Sequence, residues 1–438
     1  MNDLTKRVWI ELIRRAKKHY FKHKLYIREY LLIKQQPKLH EKALIELREK
    51  IKRGEKVKVA FFAIYSSIWK LDDIYNFLLK DARFEPIIIV CPIQYYGREN
   101  MLNELGKAYN MFKTKGFKVI KTYDEEKDSY LDIRKEINPD LIFYTSPYKE
   151  TYYKDYFITE FKDKLTCYVP YGFNAAALNE TNYNNIFSQI VWKFFLETEM
   201  HLEMSKEFAR NKSVNTVVTG YPGVDGFEYG SRNDVYEWKV KDSRIKRIIW
   251  APHHTINNDI KLTYSNFLSY YGFILEIAEK YKDKIQICFK PHPFLIVKLY
   301  KHDEWGKEKT DEYYDKWKNG ENTQLNTDDY IDLFNSSDAI IHDSGSFTTE
   351  YLHCGKPCQY IMKDTTKAEF NRFGLMALDQ YYQAWEKADV EWFVEEVVIN
   401  GNDTMKESRE KFYHDVLKYK RDKSAAENVY EYVCKEMF

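Results

Sequence analysis

Short apolar runs alternate with longer amphipathic runs from about residue 56 onward, and this alternation limits the possible folds more than any other feature of the chain. The short runs predict buried strands, and the long ones, such as 69–81 and 99–115, predict helices. This order requires crossover connections and therefore a mostly parallel, doubly wound sheet. The strands predicted in the first series are 57–65, 86–91, 117–122, 140–145, 165–172 and 215–222.

A second series of strands follows the polar stretch 228–244. A chain of 438 residues is also too long for one ordinary core. We therefore predict an α/β protein with two Rossmann-like, doubly wound domains that face a cleft. The strands predicted in the second series are 247–252, 285–291, 338–343 and 357–362. The expected segments are a helical extension at 1–54, Rossmann-like domains at 55–240 and 241–410, and a C-terminal helix at 411–438.

Charge and composition exclude several classes of protein. The 68 basic and 67 acidic residues leave a formal charge of +1, which gives no general attraction for nucleic acid. The six cysteines contain no Cys-X-X-Cys pair, and the histidines near the predicted strand ends lack i, i+4 spacing, so we expect reduced thiols and no metal. No apolar run approaches the ~20 residues that span a bilayer, and no signal peptide opens the chain. We expect a cytoplasmic protein, or one peripheral to the inner face of the membrane.

The first 36 residues predict a basic amphipathic helix. Such a helix with a tryptophan can lie on an anionic membrane surface, or its apolar stripe can pack on the protein itself. The sequence leaves both alternatives open. The apolar positions are Val8, Trp9, Leu12, Ile13, Ala16 and Tyr20, and the basic ones are Lys6, Arg7, Arg14, Arg15, Lys17, Lys18, Lys22 and Lys24.

Polar residues follow three strands of the second series, where open parallel sheets bind their ligands. Ser344, Gly345 and Ser346 lie between a strand and a helix, so they can hold phosphate oxygens, helped by Thr348, or simply cap the helix. Glu350 follows in the helix, where it can accept hydrogen bonds from ribose hydroxyls.

Histidines occupy the other two strand ends. His292 stands between two prolines, which hold its imidazole in a rigid turn. There it can contact a phosphate, with Lys290 beside it, or cap its own loop. His253 and His254 are adjacent, so only one of them is expected to face the cleft. Asp343 can orient His342 or the turn that contains it.

The first series offers candidates for the opposite wall of the cleft. Ser66, Ser67 and Asp72 follow the first strand and suit hydrogen bonding to a polyol or sugar, or the capping of a helix.

The motifs "WAPHHT", "KPHP" and "DSGSFTTEYLHCGKP" resemble the CDP-glycerol glycerophosphotransferase family of teichoic-acid and capsule polymer enzymes. The resemblance covers about 215–365 and implies a glycosyltransferase-B (GT-B) fold, with acceptor on the first domain and donor nucleotide on the second. It implies that His292 and Ser344–Ser346 bind the donor phosphates. The family's catalytic His-Gly pair is replaced by Tyr171 and Gly172. Because tyrosine has a pKa of about 10, it is a poor base, which leaves His254 or Asp225 as alternatives.

Three functions remain after this resemblance. The first is transfer of glycerol phosphate, or a related phospho-polyol, from a CDP-linked donor to a glycan or lipid-linked acceptor, without a further cofactor. The second is sugar transfer from a nucleotide sugar, and the third is a non-catalytic nucleotide-binding scaffold. A contact of residues 1–36 with anionic membrane is compatible with each of them.

Overall fold

The computed structural model describes residues 3–95, 97–227, 230, 236–256, 263–418 and 422–438, with side chains from residue 23 onward. Two parallel sheets form the centres of two domains. The predicted pair of Rossmann-like domains with an N-terminal helical segment is therefore confirmed.

The first sheet has seven parallel strands in the order β3-β2-β1-β6-β7-β8-β9. Its central strands are rich in apolar residues and largely buried on both faces, which is the pattern of a covered parallel sheet. The strands are β1 (Val57–Ala63), β2 (Phe84–Val90), β3 (Val119–Lys121), β6 (Leu141–Tyr144), β7 (Leu165–Tyr168), β8 (Lys193–Leu196) and β9 (Thr216–Val218), with a separate hairpin of β4 (Tyr123–Asp124) and β5 (Ser129–Tyr130).

Helices of the first domain cover the sheet and include one very long element, α1. The apolar side of α2, with Ile74, Tyr75 and Leu78, is buried, as its helical spacing predicts. The helices are α1 (Asp3–Lys52), α2 (Asp72–Lys80), α3 (Gly97–Thr114), α4 (Ile133–Glu136), α5 (Asn179–Tyr183), α6 (Ile186–Ile190) and α7 (Glu199–Phe208).

The second sheet has six parallel strands in the order β12-β11-β10-β13-β14-β15. The sequence did not predict β8, β12 and β15, which have three or four residues each. The strands are β10 (Lys246–Ala251), β11 (Ile285–Phe289), β12 (Thr323–Leu325), β13 (Ala339–His342), β14 (Cys358–Ile361) and β15 (Tyr382–Ala384).

Aromatic packing fixes the core of the second domain. The Trp250 ring lies 5.0 Å from that of Phe289 and 5.5 Å from that of Trp317, all three buried. The helices that follow α7 along the chain are α8 (Phe267–Lys280), α9 (Pro293–Tyr300), α10 (Gly306–Asn319), α11 (Ile331–Ser336), α12 (Phe347–Glu350), α13 (Arg372–Leu378), α14 (Lys387–Trp392), α15 (Lys406–Phe412) and α16 (Ala425–Met437).

Each sheet has one point at which the strand order reverses, between β1 and β6 and between β10 and β13. Connections leave such a point in opposite directions, which opens a crevice at the carboxyl ends of the two strands. Two ligand-binding crevices are therefore expected, one in each domain.

The last helix, α16, returns to the first domain. Asp225 accepts the N–H groups of Ala425 and Ala426, both at 2.9 Å, and so caps the helix. The Asn428 side chain also donates to the Thr219 carbonyl at 3.1 Å. The chain thus passes between the domains twice, and the expected boundary at 410/411 falls inside α15.

Backbone hydrogen bonds join the two domains directly. The Ala177 N–H donates to Glu369 O, and the Asn371 N–H donates to Ala175 O, each at 2.8 Å. This seam, residues 173–179 against 369–374, also packs Gly374 on the Ala175 carbonyl so closely that a Cβ at Gly374 would clash with it.

The second half of α1 packs on the first domain through residues such as Leu47. Leu25 and Leu31 are 56% and 52% exposed. The amphipathic pattern of apolar and basic residues predicted at positions 6–22 lies outside the side chains that the structure describes. A search of the described helices finds none with the length and apolarity needed to cross a membrane.

We expect Gly374→Ala to destabilise the protein by about 2 kcal/mol or more, because the new methyl group must push the domains apart or distort the seam. Alanine is otherwise preferred over glycine inside a helix by about 1 kcal/mol. Chemical denaturation measures the effect.

Gly272→Ala is the matched control, since Gly272 also lies inside a helix but has no atom within 4 Å of the place that a Cβ would take. The control should leave stability unchanged or raise it. Equal stability of the two variants would show that the seam does not hold the domains together.

Candidate active site

Three loops of the second domain meet beside its crevice, after β10, β11 and β13. Prolines stiffen two of them, because Pro252 precedes the histidine pair while Pro291 and Pro293 flank His292. The His292 N–H donates to the Pro252 carbonyl at 3.2 Å, which ties the two loops together. The local sequence therefore brings the predicted histidines into one cluster.

Asp343, at the end of β13, holds the loop after β10. Its carboxylate accepts the His253 N–H at 2.6 Å and the Asn266 N–H through its other oxygen. Burial raises the pKa of Asp343 to about 7, although these N–H groups favour the ionised form. The residue thus positions His253 through the backbone, and both oxygens are in use.

The cluster consists of His253, His254 and His292, all half-buried. The ring centres lie 4.3 Å apart for His253 and His254, 4.2 Å for His254 and His292, and 5.0 Å for His253 and His292. Both members of the adjacent pair therefore face His292, whereas the sequence predicted that only one would face the cleft. One possible ligand atom from each ring lies within 4.8 Å of the others, which is compatible with a metal ion.

Hydrogen bonds of the rings fit an anion better than a metal. His292 Nδ1 accepts the Phe294 N–H at 3.1 Å, so a neutral ring carries its proton on Nε2. A metal-bound imidazole needs the opposite arrangement, in which the second nitrogen donates. His253 Nδ1, 3.1 Å from Thr255 Oγ1, allows either arrangement. His292 therefore offers an N–H donor rather than a metal ligand.

Positive groups surround the cluster. Burial lowers the pKa of His253 and His292 well below the usual value, and the neighbouring imidazoles, Lys298 and other lysines add to the effect. Lys290, whose ammonium donates to the Asp328 carbonyl at 2.7 Å, has its pKa lowered to about 8, chiefly by burial. This electrostatic environment repels a cation and favours a bound anion.

The Ser344–Ser346 turn lies on the same edge of the sheet. The Ser344 N–H donates to His342 Nδ1 at 3.0 Å, and Thr348 Oγ1 donates to the Ser344 carbonyl at 2.7 Å. Ser346 is exposed, and its side chain makes no capping hydrogen bond to α12. Ser344 and Thr348 thus stabilise the turn, and Ser346 remains the hydroxyl that a ligand can reach.

Gly345 has a packing role in addition to the predicted one. A Cβ at this position would lie 3.1 Å from the Tyr264 ring, so a larger residue would press on that ring. The lack of a side chain leaves the backbone of the turn close to the surface, as an anion contact requires.

Glu350 is buried where the two domains meet. Burial raises its pKa to about 7, while the Lys70 ammonium and a hydrogen bond with the Tyr330 hydroxyl favour the ionised form. Its Oε2 atom makes no hydrogen bond within the described part of the chain. This oxygen is thus buried at the domain junction without a hydrogen-bond partner among the described residues.

Tyrosines occupy the crevice of the first domain. Tyr65, Tyr148 and Tyr171 follow β1, β6 and β7, three neighbouring strands. Desolvation raises the pKa of Tyr171 well above its usual value, and Tyr148 and Tyr65 add to the shift. Tyr221 donates to the Tyr171 carbonyl at 2.6 Å and holds this loop, which continues into half-buried Gly172. A neutral hydroxyl at Tyr171 can donate a hydrogen bond but is a weak base.

The predicted acceptor residues after β1 are only partly accessible to a ligand. Ser67 is exposed and Ser66 half-buried, whereas Asp72 accepts the Trp69 indole N–H at 2.7 Å and pairs with Lys115 at 2.5 Å. Asp72 therefore fixes the loop, and Asp225 caps α16 as described above.

A buried pair beneath the Tyr171 loop was missed from the sequence. Glu197 accepts the Asn174 N–H at 3.1 Å, and its second oxygen lies 4.0 Å from His201 Nδ1. Burial raises the pKa of Glu197 to about 7 and lowers that of His201 to about 3. The sequence signal for this pair was the i, i+4 spacing of Glu197 and His201 after an apolar run. Tyr148 was also missed, and its signal was its position after a predicted strand.

Comparison with known proteins supports the fold. No family model and no curated protein sequence matches the chain. The S. aureus MnaA–UDP structure is 14% identical, with 88% of this chain and 98% of that chain covered and a TM-score of 0.56. A variant of the wall teichoic acid polymerase TagF soaked with CDPG is 14% identical, with 94% and 97% covered and a TM-score of 0.54.

The UDP-GlcNAc 2-epimerase of Neisseria meningitidis bound to UDP-GlcNAc is also similar, at 13% identity, 87% and 99% coverage and a TM-score of 0.51. Likeness at this level of identity shows the fold alone, two Rossmann-like domains around a cleft of the GT-B type.

We expect Glu350→Gln to change how stability depends on pH. The pKa of Glu350 is about 7 in the folded chain against 4.5 as its ordinary value. The folded state therefore keeps a proton that the unfolded state releases, and this contribution to stability is lost as pH rises from about 4.5 through 7. At pH 8 the free energy of unfolding of the variant should exceed that of the wild type by on the order of 1–3 kcal/mol, and at pH 5 the two free energies should match.

Denaturation at pH 5 and pH 8 measures this difference, with the exposed Glu46→Gln as control. A gap between Glu350→Gln and wild type that does not change with pH would contradict the raised pKa.

Proposed function

We propose that the protein transfers glycerol phosphate, or a related phospho-polyol, from a CDP-linked donor to a glycan or lipid-linked acceptor and releases CMP. The GT-B fold and the family motifs of the second domain support this function. The observation that carries it is the cluster of His253, His254 and His292 beside Lys290 and the Ser344–Ser346 turn, at the crevice of the second sheet.

The charges of this cluster suit the diphosphate of such a donor. An N–H on His292 Nε2 can donate to a phosphate oxygen, since Nδ1 is already an acceptor. Lys290 and Ser346 add a cation and a hydroxyl. Contacts of this kind stabilise the charge that builds up on the departing CMP.

The transfer itself is a substitution at phosphorus. The acceptor hydroxyl oxygen forms a bond to the donor's distal phosphorus, while the bond from that phosphorus to the bridging oxygen breaks. The electron pair of the broken bond leaves with CMP, and the hydroxyl proton passes to a base. His254 is our candidate for that base, because Tyr171 has a raised pKa and Asp225 caps a helix.

The acceptor, in this proposal, binds along the tyrosine-lined crevice of the first domain. Exposed Tyr148 and Tyr171 offer ring faces and hydroxyls to a polyol or sugar. Ser66, Ser67 and Gly172 border the same crevice. Glu350 is our candidate for binding the donor's ribose, through the Oε2 atom that makes no hydrogen bond within the described residues.

A nucleotide sugar is the second candidate donor. Tyr171 stands where the family has a histidine, and this favours a nucleotide-sugar donor, because the resemblance implies that phosphate transfer uses a histidine base at that position. The same cluster would then bind the diphosphate of the nucleotide sugar, and the bond formed would be at the anomeric carbon. A scaffold that binds nucleotide without turnover is the third alternative.

We expect cytidine-selective binding that depends on His292. Calorimetric titration with CMP, CDP, CDP-glycerol, UDP and a UDP-sugar, in buffer with EDTA, gives the affinities. His292→Ala should weaken the binding of CDP-glycerol by about 10-fold or more, because it removes a hydrogen bond to a charged group worth ~1.5–3 kcal/mol. Release of CMP in the presence of an acceptor then tests turnover.

His302→Ala is the matched control, because His302 Nδ1 also accepts a backbone N–H two residues ahead, at 3.2 Å, away from the cluster. Uridine-selective binding would favour the nucleotide-sugar transferase. Failure of all five ligands to bind would contradict the proposed nucleotide binding. Binding that occurs only in buffer without EDTA would indicate a metal ion bound by the three imidazoles.

Contact of residues 1–36 with an anionic membrane remains part of this proposal. The exposed apolar side chains of α1 between Leu25 and Leu31, next to many basic residues, support it. Attachment of this kind would bring the cleft to a lipid-linked acceptor.

We expect the full chain to sediment with vesicles rich in phosphatidylglycerol and not with vesicles of phosphatidylcholine alone. Leu25→Glu with Leu31→Glu should abolish the binding, because charge replaces the inserted apolar surface. Ile45→Glu is the control, 55% exposed on the half of α1 that packs on the first domain. Equal binding of the double variant and wild type would argue against the contact.

A further inference from the structure

Lys70 is a cation of the first domain that reaches the second. It lies in the loop after β1, and its ammonium is 4.7 Å from the centre of the Tyr330 ring, which precedes α11. The loop is rigid, because the neighbouring Trp69 is buried and bonded to Asp72. The ammonium is therefore held at the junction of the two domains.

The Lys70 ammonium lacks a strong partner. Within the described residues it makes no ion pair and donates no hydrogen bond, although the side chain is half-buried. Its contact with the Tyr330 ring is a cation–π interaction of about 0.5–2 kcal/mol. By contrast, Lys290 on the other side of the cleft donates to a carbonyl at 2.7 Å. A half-buried ammonium with so few contacts is suited to an anionic ligand.

Several charged groups face Lys70. The positive charge of Lys70 disfavours the protonated form of Lys290 and favours the ionised form of Glu350. The negative charge of Asp329 favours the protonated forms of both Lys290 and Glu350. Two ammonium groups from two domains thus approach each other in one cleft, which a bound anion would stabilise.

We propose that Lys70 binds the distal phosphate of a nucleoside diphosphate donor, so that the diphosphate is held between the domains. This assignment rests on the proposed function, which puts the nucleoside and the first phosphate on the second domain. The distal phosphate is then the one nearest to the first domain, and it is also the one that is transferred. Lys70 would position it and offset its charge during attack by the acceptor.

The test uses inorganic pyrophosphate, CMP and CDP-glycerol as probes, with calorimetry of the full chain in buffer with EDTA. Lys70→Met should weaken the binding of pyrophosphate and CDP-glycerol by about 10- to 100-fold, as loss of a charge-assisted hydrogen bond predicts. Binding of CMP, which lacks the distal phosphate, should change by less than about 3-fold on the same reasoning. Lys70→Arg should retain most of the affinity for pyrophosphate.

Lys80→Met, on an exposed residue of the same domain, is the control for a general loss of positive charge. Unchanged pyrophosphate binding in Lys70→Met, or no pyrophosphate binding by the wild type, would overturn the inference. Equal losses for CMP and CDP-glycerol would overturn it as well. Pyrophosphate binding that needs Lys70, in a protein that binds no nucleotide, would support this site and sink the proposed function instead.

Discussion

The Asp343 carboxylate, between the two central strands of the second sheet, is the contact on which the rest of the cleft depends. It accepts one N–H from the loop after β10 and one from the start of α8. Burial of an unpaired carboxylate costs several kcal/mol, so these N–H groups are needed for the strand end to be buried at all. The same contacts set the direction in which His253 leaves the sheet.

The histidine cluster follows from that contact and from the prolines. Pro252, Pro291 and Pro293 remove conformational freedom from the loops, and the bond from His292 to the Pro252 carbonyl joins them. The backbone of the loops therefore brings the three imidazoles together. The Phe294 N–H sets the tautomer of His292, whose Nε2 is therefore the donor of a neutral ring.

Sequence reasoning placed the candidate site at strand ends, because a parallel sheet brings the carboxyl ends of its strands to one edge. His292, Ser346 and the histidine pair could be found in this way. Asp225 could not be assigned correctly, since its partner is a helix 200 residues later in the chain. Lys70 was missed for a similar reason, as its significance comes from Tyr330 in the other domain.

A bound diphosphate would also change the protonation of the histidine cluster that binds it. In the protein alone, desolvation and nearby lysines keep the pKa of His253 and His292 low, so the imidazoles are neutral. Negative charge in the cleft opposes both effects and raises those pKa values. In the proposed transfer, charge accumulating on the leaving phosphate would make the neighbouring imidazole a stronger hydrogen-bond partner and a better proton acceptor. A first domain without an obvious base is therefore compatible with the proposed transfer, because the donor itself would give the second domain its proton-accepting capacity.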